Sequence, residues 1–263
     1  MTRRHVEVAG RRLSWLESGA GAPIVLLHAF PLSADMWAPL HAAPLDGWRL
    51  ITPDLRNLGE ASGPPATSMD DHADDVLALV RALGIERAVV GGLSMGGYIA
   101  FAIHRRASQR IRALVLADTR AEADTEQARG NRLTMQQTAR DAGPAAIADA
   151  MVPKLLGPAG RASGDLPTRV RSLILANGAP AIVDAIEALK TRPDSTPTLA
   201  AINCPTLIIV GEDDELTPPQ AAEAMQQGIG GATLIVVPAS GHLSNLEQPD
   251  AFRAALQAFL ATV

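Results

Sequence analysis

Ser94 stands in the run "AVVGGLSMGGYIAFA", residues 88–102, between an apolar strand-like stretch and an apolar helix-like one. Gly92 and Gly96 flank it at the spacing G-x-S-x-G, with Gly97 beside them. A chain of this length shows that spacing by chance roughly one time in ten, so the spacing alone decides nothing. A serine hydroxyl attacks a carbonyl only when a base takes its proton. The base, if it is a histidine, needs an acid to fix its tautomer and steady its positive charge. The serine matters only if a base and an acid fall where a strand end can present them.

Of the six histidines, His242 lies in "VVPASGHLSNLEQP", a loop after the last strand-like run, and it is the candidate base. His5 lies in a strand-like run, and His41, His72 and His104 lie in helical ones, where a packed or solvated ring is the simpler reading. His28 ends an apolar run and opens the loop "HAFP". Acids follow two strands. "LIIVGEDDELTPP" offers Glu212, Asp213, Asp214 and Glu215, most of them ordinary surface acids, and "LVLAD" ends at Asp118. Residue types leave that choice open. Two backbone N–H groups are available for a developing oxyanion: that of Met95, next after the serine, and that of Phe30, in the loop after "PIVLLHA". Donors of this kind are worth about 3 kcal/mol each in a transition state.

Such groups need strand ends to hold them. "HVEVAG" and "RRLSWLE" alternate about Gly10-Arg11 and predict an antiparallel hairpin. "PIVLLHA" (23–29), "ERAVVGG" and "IRALVLAD" are short apolar runs expected of strands buried on both faces, and "WRLITPD" (48–54), "CPTLIIVG" and "ATLIVVP" read as further strands. Helical spacing alternates with them. "SMDDHADDVLALVRALG" (68–84) opens on a serine cap, carries acids in its first turn and stops at glycine. Strands alternating with helices imply a mostly parallel sheet with helices on both faces, and such sheets collect function at the carboxyl ends of their strands. Residues 120–200 break the pattern with no strand-like run. Breakers at 143, 157, 164, 177 and 192 divide them into what reads as four short helices inserted as a unit. Residues 1–119 and 201–263 then form the core, and residues 120–200 a helical cap.

Composition narrows the remaining classes. The chain has 263 residues, 47% hydrophobic and 19% charged, with a net charge of −5. No basic stripe or block of like charge points to nucleic acid or to a membrane surface. Cys204, the single cysteine, allows no internal disulfide and reads as a buried inert thiol. The first residues lack a signal-peptide core and no apolar run reaches membrane-spanning length, so the expectation is a soluble, cytoplasmic protein. No metal or organic cofactor motif is present, and none is expected.

Several of these stretches together resemble the α/β-hydrolase family over essentially the whole chain. "LLHAFPLSADMW" is similar to its H-G-x-P oxyanion loop, "PDLRNLGEAS" to its P-D-x-R-G-x-G-x-S loop, and "GLSMGG" to its nucleophile elbow. "GEDDELTP" resembles its acid turn and "GHLSNLEQP" its histidine loop. The resemblance implies an α/β-hydrolase fold and a triad of Ser94, Asp214 and His242, in that chain order. It also implies oxyanion donors at Phe30 and Met95. The sequence departs from the pattern at Ala29 and Asn57, where glycine is usual, and at Ala61, where serine is usual. Asparagine tolerates positive φ, so Asn57 is expected to keep the second loop's shape.

A serine at the elbow, rather than an aspartate, implies acyl transfer to water through an acyl-serine. The wording is nearest the branch that holds esterases, enol-lactonases and cofactor-free haloperoxidases (perhydrolases). The leading expectation is hydrolysis of small, uncharged esters; the alternative is a lactonase, whose anionic substrate would want an arginine from Arg120, Arg129, Arg132 or Arg140. A non-catalytic ligand-binding protein of the same fold is the rival from another class. Met135 and Leu156, with Met95 and Met151, are expected to line an adaptable aliphatic pocket. A histidine base makes turnover fall on acidification as the imidazole takes up a proton. A pH–rate profile from about pH 4 to about pH 9 checks this, and a flat acid limb would contradict it.

Overall fold

The computed structural model describes all residues, Met1–Val263. Its eight strands are β1 (Thr2–Val8), β2 (Arg11–Gly19), β3 (Ala22–Leu27), β4 (Trp48–Pro53), β5 (Ala88–Leu93), β6 (Ile111–Ala117), β7 (Thr206–Gly211) and β8 (Thr233–Val237). They form one sheet in the order β1-β2-β4-β3-β5-β6-β7-β8. β2 runs antiparallel to its neighbours β1 and β4, and every other pairing is parallel. This is the α/β-hydrolase architecture implied by the resemblance. The hairpin turns at Ala9-Gly10, one residue earlier than the sequence suggested, with both residues at positive φ (49° and 74°). Such a turn matches the right-handed twist of the two strands.

The sheet is covered by α1 (Ala38–Ala42), α2 (Met69–Ala82), α3 (Met95–Ala107), α8 (Pro219–Gly228), α9 (Ser244–Glu247) and α10 (Pro249–Leu260). β5 and β7 are buried along their whole length, which explains their unbroken apolar runs. α2 begins as its sequence predicts. Ser68 Oγ accepts from Asp71 N–H while the Asp71 carboxylate accepts from Ser68 N–H.

Between β6 and β7 lie α4 (Glu126–Leu155), α5 (Pro158–Ala162), α6 (Leu166–Leu175) and α7 (Ala179–Thr191). The breakers separate helices as expected, but there are five rather than four, because α4 is two helices on either side of Gly143. Gly143 is non-helical (φ 73°, ψ −172°), so one helix stops there and a second begins at Pro144, a position that needs no N–H. The later breakers prove to be helix starts: Pro158, Pro167 and Pro180 each occupy a first turn, where a missing N–H costs nothing.

Two polar side chains fasten this insertion to the core. Asn177 donates from Nδ2 to the carbonyl of Pro31 (2.9 Å) and accepts at Oδ1 from Gly59 N–H (2.9 Å), joining both loops at the sheet's carboxyl edge. Glu247 accepts from Gly157 N–H and Gly241 N–H, both at 2.8 Å, one from the insertion and one from the loop carrying His242. There the backbones touch directly. A Cβ on Gly157 would lie 2.7 Å from the Gly241 nitrogen, and one on Gly241 would lie 2.3 Å from the Gly157 nitrogen. Burial pushes the Glu247 carboxyl up, against the hydrogen bonds it receives.

Half-buried Glu247 and two buried histidines each bear on stability. Glu247→Gln replaces one acceptor by an NH₂ that faces an N–H, and an unpaired buried donor costs about 1–3 kcal/mol. A melting temperature lowered by several degrees in thermal unfolding is expected; an unchanged one would mean the two N–H groups find other partners. Separately, burial lowers His41 from 6.5 to about 4 and His72 from 6.5 to about 3, and neither ring nitrogen of His72 has a partner. Below about pH 6.5 the unfolded chain therefore binds protons that the folded chain refuses. Stability falls as the pH drops toward 4, by up to about 1.4 kcal/mol per pH unit for each histidine. Denaturant titrations at pH 7 and pH 5 check the slope, which His72→Leu should reduce.

Candidate active site

Ser94 follows β5 directly and precedes α3, and its backbone is left-handed (φ 56°, ψ −111°). Its N–H donates to the Ala117 carbonyl of β6 at 2.9 Å. Its own carbonyl accepts from Gly97 N–H and Thr119 Oγ1, both at 2.9 Å. Small neighbours are a steric requirement here. A Cβ on Gly96 would lie 2.3 Å from the Leu27 carbonyl oxygen of β3, and one on Gly92 would lie 2.6 Å from the same atom. Every residue from Ala88 to His104 is buried except Ser94. The fold therefore presents this one side chain and hides its surroundings.

His242 is buried in the loop after β8, with Nδ1 at 2.9 Å and 3.0 Å from the two carboxylate oxygens of Asp214. A carboxylate only accepts, so Nδ1 carries the proton and Nε2 keeps its lone pair. Asp214 lies after β7. Its Oδ1 accepts from Leu216 N–H (2.8 Å) and Thr217 N–H (3.0 Å), and its Oδ2 accepts from the Thr217 hydroxyl (2.6 Å). Burial pushes this carboxyl up, but the His242 charge and the hydrogen bonds from His242 and Thr217 outweigh it and leave the group below the ordinary range.

Asp118, the other acid at a strand end, makes no contact with His242. Its oxygens accept from Gly211 N–H (2.8 Å) and from the Ser244 hydroxyl. Complete burial, and then the charge of Asp214, push its carboxyl well above the ordinary range. One buried carboxylate is thus held ionised against the imidazole, and its neighbour is held toward neutrality. Glu212, Asp213 and Glu215, the other acids of that stretch, make no bond to the ring.

Ser94 and His242 share the wall of a cavity of about 190 Å³, small beside the range for drug-sized ligands. No hydrogen bond joins the Ser94 hydroxyl to the ring. Phe30, Tyr98, Leu216 and Thr217 complete the core side of the cavity, and the insertion supplies Met135, Met151 and Leu189 together with charged groups. The N–H groups of Phe30 and Met95 have no acceptor within the protein. His28 braces the Phe30 loop, accepting at Nε2 from Leu55 N–H and donating from Nδ1 to the Ala29 carbonyl, each at 2.9 Å. Asn57 has φ 65°, as its substitution for glycine requires, and its side chain accepts from Gly63 N–H (2.9 Å).

Met135 and Met151 line the cavity; Leu156 and Met95, expected there too, do not. Leu156 closes α4 beside the Gly157–Gly241 contact, so it is buried (1% exposed) in the joint between insertion and core rather than in the cavity. Of the four arginines considered, Arg120 and Arg132 line the cavity, while Arg129 and Arg140 are exposed on α4. Thr217 was not singled out from sequence. Its signal was there in Asp214-x-x-Thr217, a spacing at which a carboxylate caps the N–H groups two and three residues on. No group of three or more His, Cys, Asp or Glu side chains is placed to hold a metal ion, and no single helix is long and apolar enough to cross a membrane.

The chain is similar to several known proteins. A thermophilic esterase from Thermogutta terrifontis, solved with malate bound, is 36% identical with a TM-score of 0.94, covering 100% of this chain and 99% of that one. The AB hydrolase superfamily protein YisY of Bacillus subtilis (strain 168) is 30% identical over 92% of each chain. The 3-oxoadipate enol-lactonase 1 of Acinetobacter baylyi is 29% identical over 91% of this chain and 89% of its own. The family model for the alpha/beta hydrolase family matches residues 24–255. With that match spanning most of the chain, the protein belongs to the alpha/beta hydrolase family.

Proposed function

We propose that the protein is a serine hydrolase of small carboxylic esters and lactones, with Ser94 as nucleophile, His242 as base and Asp214 as the acid that orients it. The observation that carries this reading is the Asp214–His242 pair at 2.9 Å, with His242 on the wall of the same cavity as Ser94. The esterase and enol-lactonase relatives support it, since ester cleavage and lactone opening are the same acyl transfer.

The chemistry runs in two halves. As the substrate draws Ser94 and His242 together, Nε2 takes the hydroxyl proton and Oγ bonds to the carbonyl carbon. The carbonyl oxygen becomes an oxyanion, and the free N–H groups of Phe30 and Met95 are its donors. Collapse breaks the carbon–alkoxy bond, and His242 returns the proton to the departing alcohol. In a lactone that alcohol stays tethered to the acyl group. Water then attacks the acyl-serine with the same histidine as base, releasing the acid and restoring Ser94. Residues 120–200 serve as the cap that walls the cavity and limits water.

Labelling by a fluorophosphonate, mapped by peptide mass, is expected at Ser94. Ser94→Ala should remove labelling and lower kcat on the order of 10⁵-fold or more, with folding unchanged. Asp214→Asn should lose roughly 10⁴-fold, because the Leu216 and Thr217 N–H groups hold the amide oxygen and leave its NH₂ facing Nδ1, which favours the wrong tautomer. Asp118→Asn should lose less than about tenfold, since an amide can serve both Gly211 and Ser244. The reverse ranking would move the acid to Asp118. No labelling of the folded protein would favour a ligand-binding role without turnover.

A further inference from the structure

The insertion side of the cavity is strongly cationic. Arg120, Arg132 and Lys154 line it, and Asp124 is the one acid on that side. Asp124 is itself buried and already matched. Arg192, which lies outside the cavity lining, pairs with Asp124 Oδ1 at 2.7 Å and stacks 4.3 Å from the Tyr98 ring centre. Burial pushes the Asp124 carboxyl up, and the charges of Arg132 and Arg192 overcome this and leave it ionised below the ordinary range.

The cavity cations therefore have donors to spare. Arg132 uses only Nε, at 3.1 Å, to reach Asp124, so both of its terminal nitrogens are free. Arg120 approaches Asp124 no closer than 3.7 Å, and its Nε is buried with no partner. Lys154 pairs with no acid. A small cavity with this surplus would hold a neutral aliphatic ester poorly, because the guanidinium groups would lose water and gain no acceptor. A carboxylate supplies two acceptor oxygens that match the planar fork of an arginine.

We propose that the substrate carries its own carboxylate in addition to the bond that is cleaved, and that Arg120, Arg132 and Lys154 hold it. The substrate class is a half-ester of a short dicarboxylic acid, or a lactone with a carboxylate arm, rather than the uncharged ester that the family resemblance implied. This rests on the reading of Ser94 as nucleophile. For a half-ester, the carboxylate anchored at α4 leaves the ester carbonyl at the Ser94 end of the cavity. Hydrolysis then consumes one water and releases an alcohol, a dicarboxylate and a proton.

The test compares monoethyl succinate with ethyl 4-methylpentanoate, a neutral isostere in which an isopropyl group replaces the carboxylate. The wild-type protein should prefer the anionic ester by about 10- to 100-fold in kcat/KM, the range spanned by one charge-assisted contact. Added salt should shrink that preference. Arg132→Gln and Lys154→Gln should each lower the ratio between the two esters, chiefly through KM of the anionic one. Lys154 is exposed and without an ion partner, so its variant keeps the test valid if Arg132→Gln fails to fold. Equal use of both esters, or preference for the neutral one, with Ser94 still labelled by fluorophosphonate would overturn this proposal and leave the hydrolase reading standing. Neither turnover nor labelling would overturn both.

Discussion

A serine held in a left-handed backbone, between surfaces with no room for a side chain, is the constraint around which the molecule is built. Ser94 at φ 56° is strained by an amount on the order of 1–3 kcal/mol, and such strain persists only where the surroundings over-determine it. Here they do. The Leu27 carbonyl of β3 presses on Gly92 and Gly96 from one side, while Ala117 and Thr119 hold the Ser94 peptide groups from the other. Those contacts require β3, β5 and β6 to be adjacent, parallel and in fixed register. The fully buried strands are thus the means by which one hydroxyl is kept exposed in a defined place.

Charge is handled by the same economy of position. Asp118 and Asp214 end neighbouring strands, β6 and β7, close enough that the charge of one raises the other. Two carboxylates so placed cannot both ionise cheaply, and their partners decide which does. Asp214 collects Leu216 N–H, Thr217 N–H, the Thr217 hydroxyl and the imidazole. Asp118 has only Gly211 N–H and the Ser244 hydroxyl, and no cation. The acid turn's local capping therefore does more than shape a loop. It selects the carboxylate that can stabilise an imidazolium.

How much of this was legible in the sequence depended on how local each cause was. Buried strands, the capped start of α2 and the glycines about Ser94 are written in consecutive residues, and they were read to within a residue or two. The hairpin missed by one position because Ala9, not a usual positive-φ residue, shares the turn with Gly10. Breakers in the insertion mark the helix boundaries they were read as, since a glycine followed by a proline in a first helical turn is also a local signal. Leu156 was misplaced because apolar character does not say whether a side chain faces a cavity or a joint. Glu247 left no signal at all: its two acceptors meet N–H groups from residues 6 and 90 positions away, brought together only by the packing of insertion on core.

The division of labour follows from that packing. The proposed nucleophile, base and acid descend from strand ends of the core, where register fixes them; the surplus cations come from the segment beginning at Arg120, immediately after β6. Arg192, at the far end of the insertion, is what separates the two duties. By pairing with Asp124 and donating to the Leu189 and Glu122 carbonyls, it fixes the insertion's two ends to each other. Asp124 then serves to orient Arg132 without cancelling it. A buried acid beside a binding pocket would ordinarily oppose an anion. With its charge already matched from outside the cavity, it becomes a bracket that aims a guanidinium inward, and the preference for charge can change through α4 while the acyl-transfer geometry on the sheet stays as it is.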